Sequence, residues 1–227
     1  MLKFIGIGDA FSTSLGNCSG FYKKDNRLII IDCGETIFER IKNNNLLEGI
    51  NKVDIIITHF HSDHVGSLGT LLFYLDMLEI NDKRVIYPNS KDMNTLLHLF
   101  GVEECTYQVL TPKDVSDFHI EEVKQEHCDI DAFGYLMNID DENIYYSGDT
   151  KSIDERVLNK LFNNELDHFY QDVRIEENDW HMSLGKLNRL VPYEYRNKIE
   201  CMHLNENLDK SILESNGYRL VKEYRKE

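Results

Sequence analysis

The chain has 227 residues, 41% of them hydrophobic and 29% charged, with a formal net charge of −15. That length suits one well-filled core, so residues 1–227 are read as a single domain. No apolar run approaches the roughly 18–20 residues that span a bilayer, and an acidic chain without a basic run is a poor binder of long nucleic acids, whose phosphates are held by Lys and Arg.

In chain order, residues 2–7 alternate like a strand, and 19–24 and 27–32 flank a polar turn as a hairpin. Glu35 to Asn44 has helical spacing, with Ile37, Ile41 and Leu46 on one side. Val53 to Ile57 is a β-branched apolar run, suited to a buried strand that leads straight into Thr58-His59. From Val65 to Ile80 the leucines at 68, 71, 72, 75 and 78 predict one helix with an apolar stripe. A strand near 84–87, a helix near 90–99 and strands near 106–110 and 116–126 follow. Phe133 to Ile139 and Asn143 to Ser147 read as a second hairpin. Helices near 153–161, 183–190 and 208–215 then alternate with strands near 166–171, 198–202 and 218–222. This order predicts an α/β protein, two sheets sandwiched between helices as an αββα sandwich.

Five cysteines, at 18, 33, 105, 128 and 201, include no CxxC pair. An odd, scattered set points to reduced thiols. The opening Met1-Leu2-Lys3-Phe4-Ile5-Gly6 is too short and glycine-broken for a signal peptide. Both observations point to the cytoplasm. Cys128 and Cys201 stand beside candidate ligands and are read as small core hydrophobes.

The chemistry concentrates in His59-Phe60-His61-Ser62-Asp63-His64. Three imidazoles and a carboxylate within six residues cannot share one face of a regular element. They must turn around a point, and these are the usual ligands of catalytic zinc. Gly66 would let the backbone enter the following helix tightly.

The string Thr58-His59-Phe60-His61-Ser62-Asp63-His64-Val65-Gly66 resembles the signature of metallo-β-lactamase-fold hydrolases. Gly6-Ile7-Gly8-Asp9-Ala10-Phe11 with Asn17-Cys18-Ser19 resembles the first hairpin of the branch that holds the transfer-RNA 3′-processing nucleases (RNase Z). Ile31-Asp32-Cys33-Gly34-Glu35 is similar to its Asp-Cys-Gly segment. Glu126-His127 before Phe133-Gly134-Tyr135 is similar to its third ligand motif, and Ser147-Gly148-Asp149-Thr150 to its bridging-aspartate motif. Met202-His203-Leu204 falls where the last ligand histidine belongs.

The resemblance implies two divalent cations, zinc by donor type, with manganese or iron also compatible. One would be held by His59, His61 and His127 and the other by Asp63, His64 and His203, with Asp149 shared between them. Two divalent cations outweigh two aspartates, so the centre would be a positive spot in an acidic protein. The implied catalytic residues are Asp63, within the motif, and His181, 22 residues before His203, which would contact the substrate phosphate or protonate the leaving oxygen. Asp172 is a candidate to orient His181, and Asp32 is read as supporting rather than ligating. His98, His119 and His168 carry no motif and are read as structural.

The resemblance also bears on the substrate. His127 and Asp149 are only 22 residues apart, too close for the basic arm by which the transfer-RNA enzymes hold their substrate. The chain is similar to the compact anti-Pycsar group. That similarity implies hydrolysis of a small phosphodiester, foremost a cyclic mononucleotide, by attack of a metal-bound hydroxide. The alternatives are an RNase Z-like endonuclease on RNA ends and a hydrolase of a non-phosphate ester or amide. The implied partners are a small phosphodiester or nucleotide substrate and a second copy of the chain in a homodimer, with no membrane and no long nucleic acid.

Overall fold

The computed structural model describes residues 1–226. Among these residues, twelve strands build two six-stranded sheets. The first runs in sequence order: β1 (Lys3–Gly6), β2 (Ser19–Lys24), β3 (Arg27–Ile31), β4 (Lys52–Ile56), β5 (Asp82–Ile86) and β6 (Gln108–Leu110). The second is β7 (His119–Gln125), β8 (Ala132–Ile139), β9 (Glu142–Tyr146), β10 (His168–Asp172), β11 (Ile199–Met202) and β12 (Arg219–Leu220). Each sheet opens with an antiparallel meander and continues with parallel strands.

Parallel neighbours need crossover connections, and helices supply them. α1 (Ile37–Asn43) joins β3 to β4, and α2 (Ser62–Val65) with α3 (Leu68–Met77) joins β4 to β5. α4 (Ser90–Leu99) leads to β6, and α5 (Glu155–Phe162) joins β9 to β10. α6 (Leu184–Leu190) with α7 (Tyr193–Arg196) leads to β11, and α8 (Lys210–Ser215) leads to β12.

The alternation of a strand sorts its side chains between two cores. Leu28 and Ile30 of β3 join Val53 and Ile55 of β4 in a core shared with Ile37 and Ile41 of α1 and Leu68, Leu71, Leu72 and Leu75 of α3. Ile29, Ile31 and Ile56 point the other way. They meet Tyr135, Met137 and Tyr146 of the second sheet in a core that continues to α5, α6 and α8. The expected αββα sandwich is thereby formed.

One expected element divides. The run from Val65 to Ile80 is not a single helix but α2 and α3, broken at Gly66-Ser67. Tertiary contacts cause the break. The Ser67 N–H donates to the Cys33 carbonyl (3.0 Å) and its hydroxyl to the Gly34 carbonyl (2.5 Å). A Cβ on Gly66 would come within 2.6 Å of the Glu35 side chain. The helix yields so that its first turn can dock on the loop after β3. The last strand, expected near 218–222, shortens to β12, and α7 was not expected.

Candidate metal centre

Most of the motif residues leave the two sheets at the C-terminal ends of parallel strands, where loops of such sheets collect functional groups; His127 follows the antiparallel edge strand β7. β4 ends at Ile56, and the next residues carry His59 and His61 on extended backbone into α2, whose first turn holds Asp63 and His64. His127 follows β7, Asp149 follows β9, Asp172 closes β10 and His203 follows β11.

Tight turns aim these side chains. Asp32, Cys128 and His203 all adopt positive φ, at 65°, 43° and 58°. For non-glycine residues such conformations cost on the order of 1–3 kcal/mol each and concentrate at functional sites. Gly148 (φ 59°) sets up Asp149, and a Cβ there would meet the Phe133 carbonyl at 2.7 Å. Gly34 lets the Asp63 backbone pass, since a Cβ would lie 1.9 Å from the Asp63 oxygen.

All seven residues expected as ligands converge, in two groups. His59, His61 and His127 form the first. His59 Nε2 and His127 Nε2 lie 3.0 and 3.3 Å from His61 Nδ1. The outer nitrogens settle which atoms carry protons. His127 Nδ1 donates to the Trp180 carbonyl at 2.9 Å. Thr58 Oγ1 gives its proton to Asp32 (2.8 Å), so it accepts from His59 Nδ1 at 3.0 Å. Both inner Nε2 atoms therefore present lone pairs to His61, which can donate to only one. One lone pair is thus left unanswered, and a cation would satisfy all three nitrogens once it displaced the His61 proton.

Asp63, His64, Asp149 and His203 form the second group. His64 Nδ1 donates to Asp32 Oδ2 (2.8 Å), leaving Nε2 buried without a hydrogen-bond partner and 3.2 and 3.5 Å from the carboxylates of Asp63 and Asp149. His203 Nε2 lies 3.3 Å from Asp63 and 3.5 Å from Asp149. Asp149 alone reaches both groups. Its Oδ2 is 3.9 Å from His59 and 3.7 Å from His127, while Oδ1 faces His203. The donor set and the orphaned His64 nitrogen fit two bound cations.

The electrostatics show what the cations would replace. Burial, reinforced by the neighbouring His64, holds His59 well below the ordinary imidazole pKa, and burial beside His127 lowers His61. Burial also opposes charge on His64, but the carboxylates of Asp149, Asp63 and Asp32 outweigh it and lift its pKa well above the usual value. His203 is pushed up to about 10 in the same way, with Asp149 the largest opposing influence. Asp63 and Asp149 are held well below the carboxylate range, because His64 and His203 overcome their burial. Cations entering here would compete with these protons.

Supporting residues take the places read for them. Asp32 stands behind His64 and also accepts from the Thr58 N–H (2.8 Å). Asp172 accepts from His181 Nδ1 at 2.7 Å through one oxygen, and its other lies 3.4 Å from His203 Nδ1. His181 packs over His203 with ring centroids 5.3 Å apart. His98, His119 and His168 lie outside both groups. Cys201 is buried as expected, but Cys128 is exposed, because its turn lifts it out of the core.

Three partners were not foreseen. Arg174 donates to Asp9 (2.6 Å) and places Nη2 3.4 Å from His203 Nδ1. The third, the Trp180 carbonyl, leaves no sequence signal because the contact is made by backbone. Asp9 and Arg174 lie 165 residues apart, and no local pattern joins them.

The family model "Anti-Pycsar protein Apyc1" matches residues 1–98 and 83–226. The anti-Pycsar protein Apyc1 of Paenibacillus harenae is 23% identical over 245 residues, covering 99% of this chain and 98% of the relative. Among solved structures, the metallo-β-lactamase fold protein YhfI of Bacillus subtilis superposes with a TM-score of 0.75 at 15% identity, covering 95% and 90% of the two chains. The short form of human tRNase Z superposes at 0.69 and 15%, covering 90% and 92%. The sandwich is therefore the metallo-β-lactamase fold.

Proposed function

The chain belongs to the anti-Pycsar protein Apyc1 family, and from that premise we propose that it is a metal-dependent phosphodiesterase acting on a small phosphodiester, foremost a cyclic mononucleotide. One observation carries the reading: Asp149 reaches both ligand groups, and His181 is held beside them by Asp172. His59, His61 and His127 would hold one divalent cation, zinc by donor type, and Asp63, His64 and His203 the other, with Asp149 common to both. Bound there, such ions activate water and neutralise charge on phosphoryl oxygens. Ligands come from loops of both sheets, so the two sheets would work as one domain; a cytoplasmic location is a further part of the proposal.

The chain's own residues then have separable tasks. Asp32 fixes the His64 ring, and the Trp180 carbonyl fixes His127. Asp172 accepts the hydrogen bond of His181 Nδ1–H, which leaves Nε2 to meet the substrate; as an imidazolium, with a proton on each nitrogen, His181 would give its Nε2 proton to the leaving oxygen and keep the Nδ1–H on Asp172. His181→Ala should keep both metals and lose roughly 10²–10⁴-fold in rate, the range for general acid–base assistance. The loss should shrink on a nitrophenyl phosphodiester, whose leaving oxygen needs no proton. Equal losses on both substrates would rule out the donor role, and loss of metal would make His181 a ligand.

The reading as a whole is tested by screening metal-loaded protein against cyclic mononucleotides, cyclic dinucleotides and a transfer-RNA precursor, with a chelator control. Chelator-sensitive hydrolysis of cyclic mononucleotides, with two metal equivalents by elemental analysis, is expected. Cleavage of the precursor alone would replace this reading with the nuclease one. A homodimer is part of the proposal. It is supported by exposed Phe73 and Met77 on α3 beside Leu99 and Phe100 at the end of α4, where Gly69 packs on Phe100.

A further inference from the structure

The chain has one tryptophan, and the metal centre holds its backbone. The Trp180 carbonyl accepts from His127 Nδ1 (2.9 Å), its N–H donates to Asn178 Oδ1 (3.0 Å), and His181 is the next residue. Both termini of the residue are thus pinned, yet Trp180 is 58% exposed. Burying an aromatic ring of this size would be among the larger single contributions to a core. The fold forgoes it here, one residue from the proposed proton donor.

A second ring is left bare in a similar way. Phe11, in the loop between β1 and β2, is 89% exposed. Its N–H donates to Asp9 Oδ1 (3.0 Å), and the other oxygen of Asp9 accepts from Arg174, whose guanidinium lies against His203. Trp180 is therefore tied to the first ligand group and Phe11 to the second.

A phosphodiester seated at the cations needs no aromatic partner for its charge. An aromatic partner serves the rest of the molecule. We infer that Trp180 is a specificity-determining residue that stacks on the nucleobase of the substrate, with Phe11 offering a second π-face. The site thereby selects nucleoside phosphodiesters over base-less ones. Stacking tolerates every base because each has a π-face. This inference rests on the proposed reading that the substrate is a nucleoside phosphodiester.

The test uses metal-loaded protein, a 3′,5′-cyclic nucleotide, and the 3,5-cyclic phosphate of 1-O-methylribose, which lacks the base. In Trp180→Ala, the ratio of kcat/KM for the nucleotide over the base-less analogue should fall roughly ten- to hundred-fold. The change should lie mainly in KM. Trp180→Phe should restore most of the ratio, since a smaller ring still stacks. Metal content is checked in each variant; it should hold, because the backbone carbonyl and not the indole meets His127. An unchanged ratio would overturn the inference, as would a fall that phenylalanine does not rescue.

The lone indole supplies an independent readout. Its fluorescence should be quenched by the nucleotide and not by the base-less analogue. Quenching without hydrolysis of any cyclic nucleotide would sink the proposed activity and keep this inference. Hydrolysis with neither quenching nor a change in the ratio would sink this inference and keep the activity.

Discussion

Strand β4 serves two polar clusters that balance their charges in different ways. At its middle, the fully buried Asp54 accepts from Arg27 Nε on β3 (2.7 Å) and from Arg84 Nε on β5. The same guanidiniums reach Asp117, at 3.3 Å from Arg27 Nη1 and 3.1 Å from Arg84 Nη2, where Lys52 joins at 2.6 Å. Acceptors and donors alternate, and each charge has an opposite partner. Just past the end of the strand, His59 enters a cluster where lone pairs and carboxylates face one another. Two carboxylates there stand among five imidazoles, and the buried Nε2 of His64 has no hydrogen-bond partner. The first cluster balances its charges within the polypeptide: even Arg27 Nη2, buried without a well-directed hydrogen bond, lies 2.6 Å from the Asp54 carboxylate. The second is balanced only by protons or cations drawn from solvent. Buried charge by itself does not mark a functional site, therefore; charge that the chain leaves unanswered does.

Single substitutions should separate the two. The largest effect is expected at Asp149→Ala, which removes the one carboxylate common to both ligand groups. Turnover should fall to background and at least one metal should weaken, while the circular dichroism of the protein stays native. Wild-type turnover with full metal occupancy would show that Asp149 is not shared, and the contrast would lose its main support.

Asp54→Ala should do the reverse. It leaves Arg84, which is 8% exposed, without its buried partner. Breaking such a pair costs about 3–5 kcal/mol, read as a lower midpoint in urea. Metal content and kcat of the folded protein should be retained. A loss of metal at unchanged stability would mean that the two clusters are coupled along β4.

A smaller effect is expected behind the ligands. Asp32→Asn keeps the shape of the side chain and removes the charge that fixes the His64 ring. Outer partners of this kind are worth about 10–100-fold in metal affinity or activity. A titration with zinc against a competing chelator would measure it, and an unchanged affinity would make Asp32 purely structural.

How much of this was legible follows from the distance over which each signal acts. The strands of the sandwich and most of its helices could be read because apolar periodicity is local. The motif from His59 to His64 could be read because four donors fall within six residues. The helix from Val65 to Ile80 was misjudged because its break is imposed by Cys33 and Gly34, more than thirty residues away. The role of Asp54, inside the apolar run from Val53 to Ile57, has no local signal, since Arg27 and Arg84 meet it only through strand register. Resemblance supplied His127, Asp149, His181 and His203. No resemblance or pattern indicated that a tryptophan backbone would hold one of them.

The last prediction concerns acid and the self-balanced cluster. Burial raises the Asp117 pKa, but the hydrogen bond from Lys52 and the charges of Arg27 and Arg84 outweigh it and hold it at about 2. A folded-state value below the ordinary aspartate pKa of roughly 3.9 means that the unfolded chain binds the proton more readily in this window. The stabilisation is therefore fully present above about pH 4 and is lost as pH falls toward 2. Asp117 is solvent-exposed, so screening keeps the effect well below that of Asp54. Asp63 and Asp149 are also held low and lose stability in acid, so the wild-type curve alone cannot isolate the pair. The difference in melting temperature between wild type and Asp117→Asn can, because those two carboxylates are common to both proteins. That difference should be a few degrees at neutral pH, shrink in 1 M salt, and close between about pH 4 and pH 2. A gap that persists unchanged to pH 2 and in salt would assign Asp117 to packing rather than charge, leaving Asp54 alone to balance the two arginines.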